Sequence, residues 1–344
     1  MTDAPLRLRL DTAALVTNWR ALDALSGAAA CGAAIKADGY GLGAAGVAER
    51  LAGAGCRDFF VASWGEAERL AGLGFDIAVL HGVRAEDMAA ATSGIARPVL
   101  NTAAHVARWR ESGGGRCDVM VDTGMNRLGV SIAEVASGLL DGLAIDTLMS
   151  HLACADEDSA MNARQAAALR GLGGRTAARR LSLANSAGIA LGADYAFDLT
   201  RPGLALYGGV PRGELAGVVG QVVTPEAQIL QRRTLQAGDS IGYNAQFTAA
   251  APLEVAILNI GYADGYWRGF SNAGAAHVGA AALPVIGRVS MDLTAISVAA
   301  APELGEGDWV ALDYALPAAA AAAGMSQYEL LTGLGRRFER RWTA

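Results

Sequence analysis

The chain has 28 cationic lysine and arginine side chains, and only one of them is a lysine, Lys36. Arginine replaces lysine wherever a fixed positive charge suffices. It cannot replace an amine that must lose its proton and attack a carbonyl, because guanidinium stays protonated in proteins. A bias toward arginine codons explains the depletion, but not the one survivor. Lys36 lies in the segment AIKADGYGLG, Ala34 to Gly43, at the end of an apolar run, with Tyr40 among glycines just beyond it. Poor solvation or neighbouring cations there would lower the amine's proton affinity and prepare it for imine formation. The plain structural alternative is a strand-ending turn with an exposed lysine.

Residues of this kind need a frame. Leu6 to Leu10 alternates with period two and predicts an edge strand, and Asp11 caps a first helix running to Leu25. Eight short β-type runs then alternate with Ala- and Leu-rich amphipathic stretches. They are Cys31 to Lys36, Phe59 to Ser63, Ile77 to His81, Pro98 to Leu100, Cys117 to Val121, Ile145 to His151, Leu181 to Asn185 and Leu204 to Tyr207. Repeated βα units within roughly 200 residues imply a closed (β/α)₈ TIM-like barrel, with a doubly wound open sheet as the alternative. A barrel collects reactive residues at the C-terminal ends of its strands, where Lys36, Asp122, His151, Asn185 and Arg201 all fall.

From about Gly220 the pattern changes to short alternating runs punctuated by Gly and Pro: Gln228 to Leu235, Leu253 to Asn259, Leu283 to Val289, Thr294 to Val298 and Trp309 to Asp313. This predicts a C-terminal mostly-β domain, ending in a helix from Ser326 to Phe338. The expected division is a barrel over residues 8–222 and a β-rich domain over 223–344 joined by the edge strand of residues 1–7.

Composition narrows the partners. A net charge of −6 supplies no basic field for a polyphosphate, which argues against nucleic acid. Charged residues near the N-terminus exclude a secretory signal, and no run of about 18 apolar residues suggests a membrane span, so the cytoplasm is expected. Four cysteines, Cys31, Cys56, Cys117 and Cys154, lie too far apart for a C-x-x-C pair; neither a disulfide framework nor a metal knuckle is expected.

The segment AIKADGYGLG resembles the cofactor-lysine motif of the alanine racemases, which hold pyridoxal 5′-phosphate as a Schiff base. Similar segments follow in order: VDTGMNRLGV, SHLACADE, SLANSAG, RPGLALYGG, SIGYNAQF, NIGYADGYWR, GRVSMDLT and SQYELLTGLGRR. The resemblance implies a PLP-binding barrel followed by a β domain, in agreement with the periodicity. It makes Lys36 the Schiff-base residue and one of two catalytic bases, and Tyr243 the second, reaching the substrate's opposite face from a partner subunit. Racemisation needs both, since a single swinging base would favour return of the proton to its original face.

The same resemblance assigns the cofactor's pyridine nitrogen to Arg201, with His151 supporting that arginine by a hydrogen bond. Arginine, a donor that keeps its proton, would leave the ring nitrogen unprotonated and restrain side reactions. Phosphate binding falls to Tyr40, Ser186, Gly203, Leu204 and Tyr328. Arg127 would meet the substrate carboxylate, joined by Met291, with Asp292 and Tyr262 near the entrance; these last three come from the neighbouring subunit in the family, which implies an obligate homodimer.

Three positions depart from the family pattern. Met120 stands where many members carry a carbamylated lysine, so the group that orients Arg127 must differ. Ser182 stands where histidine is common, and Asn244 where glycine is common. The expected activity is interconversion of L- and D-alanine, for peptidoglycan supply or alanine catabolism. The alternatives are a serine or broad-specificity amino-acid racemase of the same fold and a non-catalytic PLP-binding protein.

Overall fold

The computed structural model describes residues 4–343. The chain divides into two compact units: Leu15–Gly220, and the N-terminal segment to Ala14 together with Gln221 onward. The first strand, β1 (Leu6–Asp11), belongs to the latter. Asp11 Oδ1 accepts from Ala14 N at 2.8 Å and starts the helix Thr12–Ser26.

The Leu15–Gly220 unit is a parallel barrel. Its strands are β2 (Ala30–Cys31), β3 (Ala33–Ala34), β4 (Asp58–Val61), β5 (Asp76–Val79), β6 (Arg97–Leu100), β7 (Arg116–Asp122) with the short β8 (Val130–Ser131) beside it, β9 (Ala144–Met149), β10 (Arg180–Ser182) and β11 (Leu199–Thr200). β2 and β3 flank Gly32; β2 pairs with β11 and β3 with β4, so the sheet returns on itself through one interrupted strand. A side chain at Gly32 would lie 2.8 Å from the Asp58 carbonyl and 2.9 Å from the Phe60 ring, so only glycine permits this closure. Every residue of β4 and β6 is buried, as expected where helices cover one face of a parallel sheet and barrel-filling side chains the other. Phe59 and Phe60 are each 1 % exposed; truncating either to alanine would cost about 3–5 kcal/mol.

One expected strand is not one. Leu204–Tyr207 forms a 3₁₀ turn, and the eighth strand is the shorter β11 just upstream. A four-residue apolar run is compatible with either state by pattern alone. Here Gly208, at φ +89°, closes the turn, and all four side chains are buried. Arg201 therefore follows the last strand directly.

The second unit is built on the long β12 (Val223–Leu235), with the hairpin β13 (Ser240–Ile241) and β14 (Phe247–Thr248), then β15 (Leu253–Leu258), β16 (Ala275–Val278), β17 (Ala281–Pro284), β18 (Thr294–Ser297), β19 (Trp309–Leu312) and β20 (Glu339–Thr343). The main sheet runs β17-β16-β19-β12-β1-β20, and β12 passes through a bulge between Ile229 and Gln231 to pair with β15. β1 is not at the edge: β12 flanks it on one side and β20 on the other. The last helix is also shorter than expected. Ser326 Oγ accepts from Glu329 N, but the helix stops at Thr332, with Gly333 as its C-cap, packed where a Cβ would lie 2.8 Å from Trp267. Among the described residues, no helix is long and apolar enough to cross a membrane.

Candidate active site

Lys36 follows β3 after Ile35, and the backbone beyond it is unusual. Ala37, Asp38, Gly39 and Tyr40 all take positive φ, between 53° and 63°, forming a left-handed turn. Three of the four carry side chains, so the turn costs on the order of 3–6 kcal/mol. Gly39 N donates to Ile35 O, Gly41 N to Ala37 O and Gly43 N to Asp38 O, while Asp38 Oδ1 accepts from Ala44 N at 3.0 Å. Tyr40 stacks on the fully buried Tyr207, with ring centroids 4.7 Å apart, and Tyr207 Oη donates to Ala34 O at 2.9 Å. The lysine thus projects from a segment held at both ends.

Its amine is half-buried, and burial lowers its proton affinity; Arg127 and Arg201 lower it further, and Glu66 opposes them. This is the environment in which a lysine becomes a nucleophile. His151, beyond β9, is pushed down to about 3 by burial, with Arg201, Arg127 and Lys36 adding to the effect. It is neutral at pH 7 and adds no further charge.

Arg201 is 6 % exposed, and burial brings its guanidinium to about 10, still protonated at neutral pH. Nη1 donates to Ser182 Oγ and Nη2 to Ser150 O at 2.6 Å. Ser182 Oγ donates its own proton to Leu199 O, so toward the arginine it acts only as an acceptor. The hydrogen-bond support expected from His151 therefore comes from Ser182 and Ser150, and His151 makes no hydrogen bond to Arg201. The other donors of Arg201 have no hydrogen-bond partner among the described residues.

Ser186 opens the helix Ser186–Ala190 after β10. Its Oγ accepts from Gly203 N at 2.9 Å and Ala205 N at 3.1 Å, which leaves the hydroxyl proton available. A Cβ at Gly203 would sit 2.2 Å from Tyr40 Oη, so glycine is required for the tyrosine hydroxyl to lie against this backbone. Leu204 starts the 3₁₀ turn beside them. These groups fit a phosphorylated aromatic aldehyde: an amine of reduced proton affinity, two hydroxyls beside close backbone, and a guanidinium with donors left for a ring nitrogen. Arg127 lies on the exposed stretch after β7 with no hydrogen bond or ion pair among the described residues, and Met120 is buried in β7.

The remaining expected residues lie in the second unit. Tyr243 is 66 % exposed, in the loop of the β13–β14 hairpin. Asn244 and Ala245 there have φ of 64° and 45°, and asparagine tolerates this region better than most residues, which accounts for it where glycine is common. Tyr262 N donates to Ser290 O and Ala263 N to Met291 O, each at 3.0 Å, so the loops bearing Tyr262 and Met291 are joined. A Cβ at Gly261 would lie 2.3 Å from the Met291 carbonyl. Asp292 pairs with Arg337 at 2.7 Å, and the Arg268 guanidinium lies 4.7 Å from the centre of the Tyr262 ring. Tyr328 is partly exposed in the helix Gln327–Thr332.

Sequence reasoning overlooked Tyr207, Glu66 and the acceptor role of Ser182. The spacing Ser63-x-x-Glu66 is a capping signature and could have drawn attention to Glu66.

Residues 10–211 match the family described as "Alanine racemase, N-terminal domain", and residues 222–342 match "Alanine racemase, C-terminal domain". A protein named "Alanine racemase" from Acidiphilium cryptum is 41% identical over 348 residues, covering 97% of each chain. One named "Alanine racemase, catabolic" from Agrobacterium fabrum is 41% identical, covering 97% of this chain and 91% of the relative. Among solved structures, alanine racemase from Bartonella henselae with covalently bound pyridoxal phosphate superimposes with a TM-score of 0.89 at 33% identity, covering 99% of this chain and 100% of that one.

Proposed function

The chain belongs to the alanine racemase family, and from there we propose that it interconverts L- and D-alanine with pyridoxal 5′-phosphate held at Lys36. It would work as a cytoplasmic homodimer, supplying D-alanine for peptidoglycan or serving alanine catabolism. The observation that carries the reading is the chain's one lysine, of lowered proton affinity, at a strand end shared with Arg201, Ser186 and Gly203.

When bound, pyridoxal phosphate supplies an electron sink for negative charge developing at the substrate's Cα. Ser186, Tyr40 and the backbone at Gly203 and Leu204 would hold its phosphate. Arg201, protonated at neutral pH, would hold the ring nitrogen by a hydrogen bond without giving it a proton, which would restrain side reactions. His151, neutral, contributes bulk and polarity to this wall without another cation. Arg127 binds the substrate carboxylate through its planar fork of donors. Lys36 Nζ removes or returns the α-proton on one face. Tyr243 Oη of the partner subunit does so on the other, with Met291, Tyr262 and Asp292 at the entrance. The exposure of Tyr243 and Met291, 66 % and 52 %, supports a role completed by a second copy.

The test is incubation of purified protein with L-alanine in deuterated water, following optical rotation and isotope at Cα together. Loss of rotation with deuterium uptake is expected. Retention of rotation and protium would remove the reading, and a Tyr243→Phe variant that racemised unimpaired in both directions would remove the two-base assignment.

A further inference from the structure

The chemistry proposed above gives Glu66 no task, yet its carboxylate is placed with care. Glu66 lies in the first turn of the helix Trp64–Leu70, one βα unit away from Lys36. Its Oε2 accepts from Ala62 N, just past the end of β4, at 2.7 Å, and its Oε1 accepts from Ala37 N at 2.8 Å. Ala37 is the residue immediately after Lys36 and opens the left-handed turn. A capping glutamate bonds the N–H of its own cap residue. Here that contact, from Ser63 N, is the longest of the three at 3.4 Å, and the two shorter bonds leave the helix. Helix capping therefore does not account for where the carboxylate sits.

The charge also matters. The groups acting on the Lys36 nitrogen are the cations Arg127 and Arg201 and the carboxylate of Glu66, with His151 close by and neutral. Glu66 opposes the arginines. We propose that Glu66 is a positioning residue for Lys36: it ties the left-handed turn to the end of β4 through the Ala37 N–H and sets a negative charge among the cations around the lysine nitrogen. The inference rests on reading Lys36 as the pyridoxal phosphate lysine. The function assigned to Glu66 is to keep that nitrogen able to hold a proton at its own face of the substrate.

The experiment uses full-length protein loaded with pyridoxal phosphate. Borohydride reduction and peptide mass mapping locate the covalent link, and the absorbance of the lysine-linked chromophore is titrated with pH. Glu66→Gln keeps the shape and removes the charge, Glu66→Ala removes both, and Glu68→Gln removes an equal charge from the exposed face of the same helix. The link is expected at Lys36 throughout. The Glu68→Gln midpoint should match that of the unchanged protein, and the Glu66→Gln midpoint should fall by about one pH unit, a tenfold loss of proton affinity. Glu66→Ala should show the same fall and, as the turn loosens, release the cofactor on dilution roughly tenfold faster. A Glu66→Gln protein of native circular dichroism whose midpoint does not move would overturn the proposal and leave Glu66 a structural tie; if Glu66→Ala does not fold, Glu66→Gln alone decides. Absence of a link at Lys36 in the unchanged protein is a different result: it would overturn the functional reading and this inference with it.

Discussion

The two ends of the barrel both gather arginines, and they treat them in opposite ways. At the N-terminal ends of the strands, Arg97 is buried with Nε 2.9 Å from Asp118 and a further bond to Asp76; Arg116 meets Asp76 at 3.0 Å and Asp146 at 3.1 Å; Arg180 meets Asp58 at 2.7 Å and Asp146 at 2.6 Å. Each of these carboxylates has an arginine, and Asp58, Asp76, Asp146, Arg116 and Arg180 line a cleft of about 690 Å³ there. At the C-terminal ends, Arg127 and Arg201 act on Lys36 as neighbouring cations, the carboxylate of Glu66 opposes them, and the nearby histidine is neutral. Balanced charge makes one end a structural floor. At the other, the cations gathered around Lys36 suit the anionic groups of the cofactor and substrate proposed above.

Substitutions should separate the two ends cleanly. Lys36→Ala should reduce racemisation by at least about a thousandfold while the protein unfolds at an unchanged urea midpoint, and borohydride should trap no adduct at that position. Retained turnover would place the chemistry elsewhere. At the floor the reverse is expected: Arg97→Met strands the fully buried Asp118 and should cost about 3–5 kcal/mol in urea unfolding, with turnover per folded molecule retained. A double variant, Arg97→Met with Asp118→Leu, should recover most of that loss.

Acid sharpens the contrast. His151 resists protonation when folded, so its contribution is fully present above its unfolded value of 6.5 and is lost as pH falls toward about 3. Between pH 6.5 and about 4 this should remove about 3 kcal/mol, a loss that His151→Asn should abolish in matched urea titrations. Asp118 carries the opposite sign. Burial raises its carboxyl from 3.8 to about 6, so the folded state holds the extra proton and this contribution falls as pH rises across that window. Asp118→Asn should flatten that slope. The smallest effect expected is at the proposed phosphate cradle, where Gly203→Ala must displace the Tyr40 hydroxyl and should weaken cofactor retention about tenfold, measured by equilibrium dialysis.

Much of the frame was legible before any coordinates. Seven of the eight barrel runs overlap observed strands, and the β-rich second unit follows from its alternating segments. The exception, Leu204–Tyr207, is an apolar run too short for its period to distinguish strand from turn. The extended last helix differs for a related reason: Gly333, the residue that caps it, is tolerated by a helical pattern, so the pattern alone does not mark the end.

What the amino-acid order determined by itself is the alternation of strands and helices, the lone amine at a strand end, and the arginine that follows the last barrel strand, because each is a local matter of period, residue type and neighbour. Only the folded chain decided that Glu66 bonds the backbone 29 residues upstream and that Ser182, 19 residues before Arg201, takes the place expected for His151. The left-handed turn under Lys36 belongs to the same group, since three residues with side chains enter that region only where surrounding contacts offset its cost. Such contacts depend on which elements the barrel brings side by side, and no spacing along the chain encodes that distance.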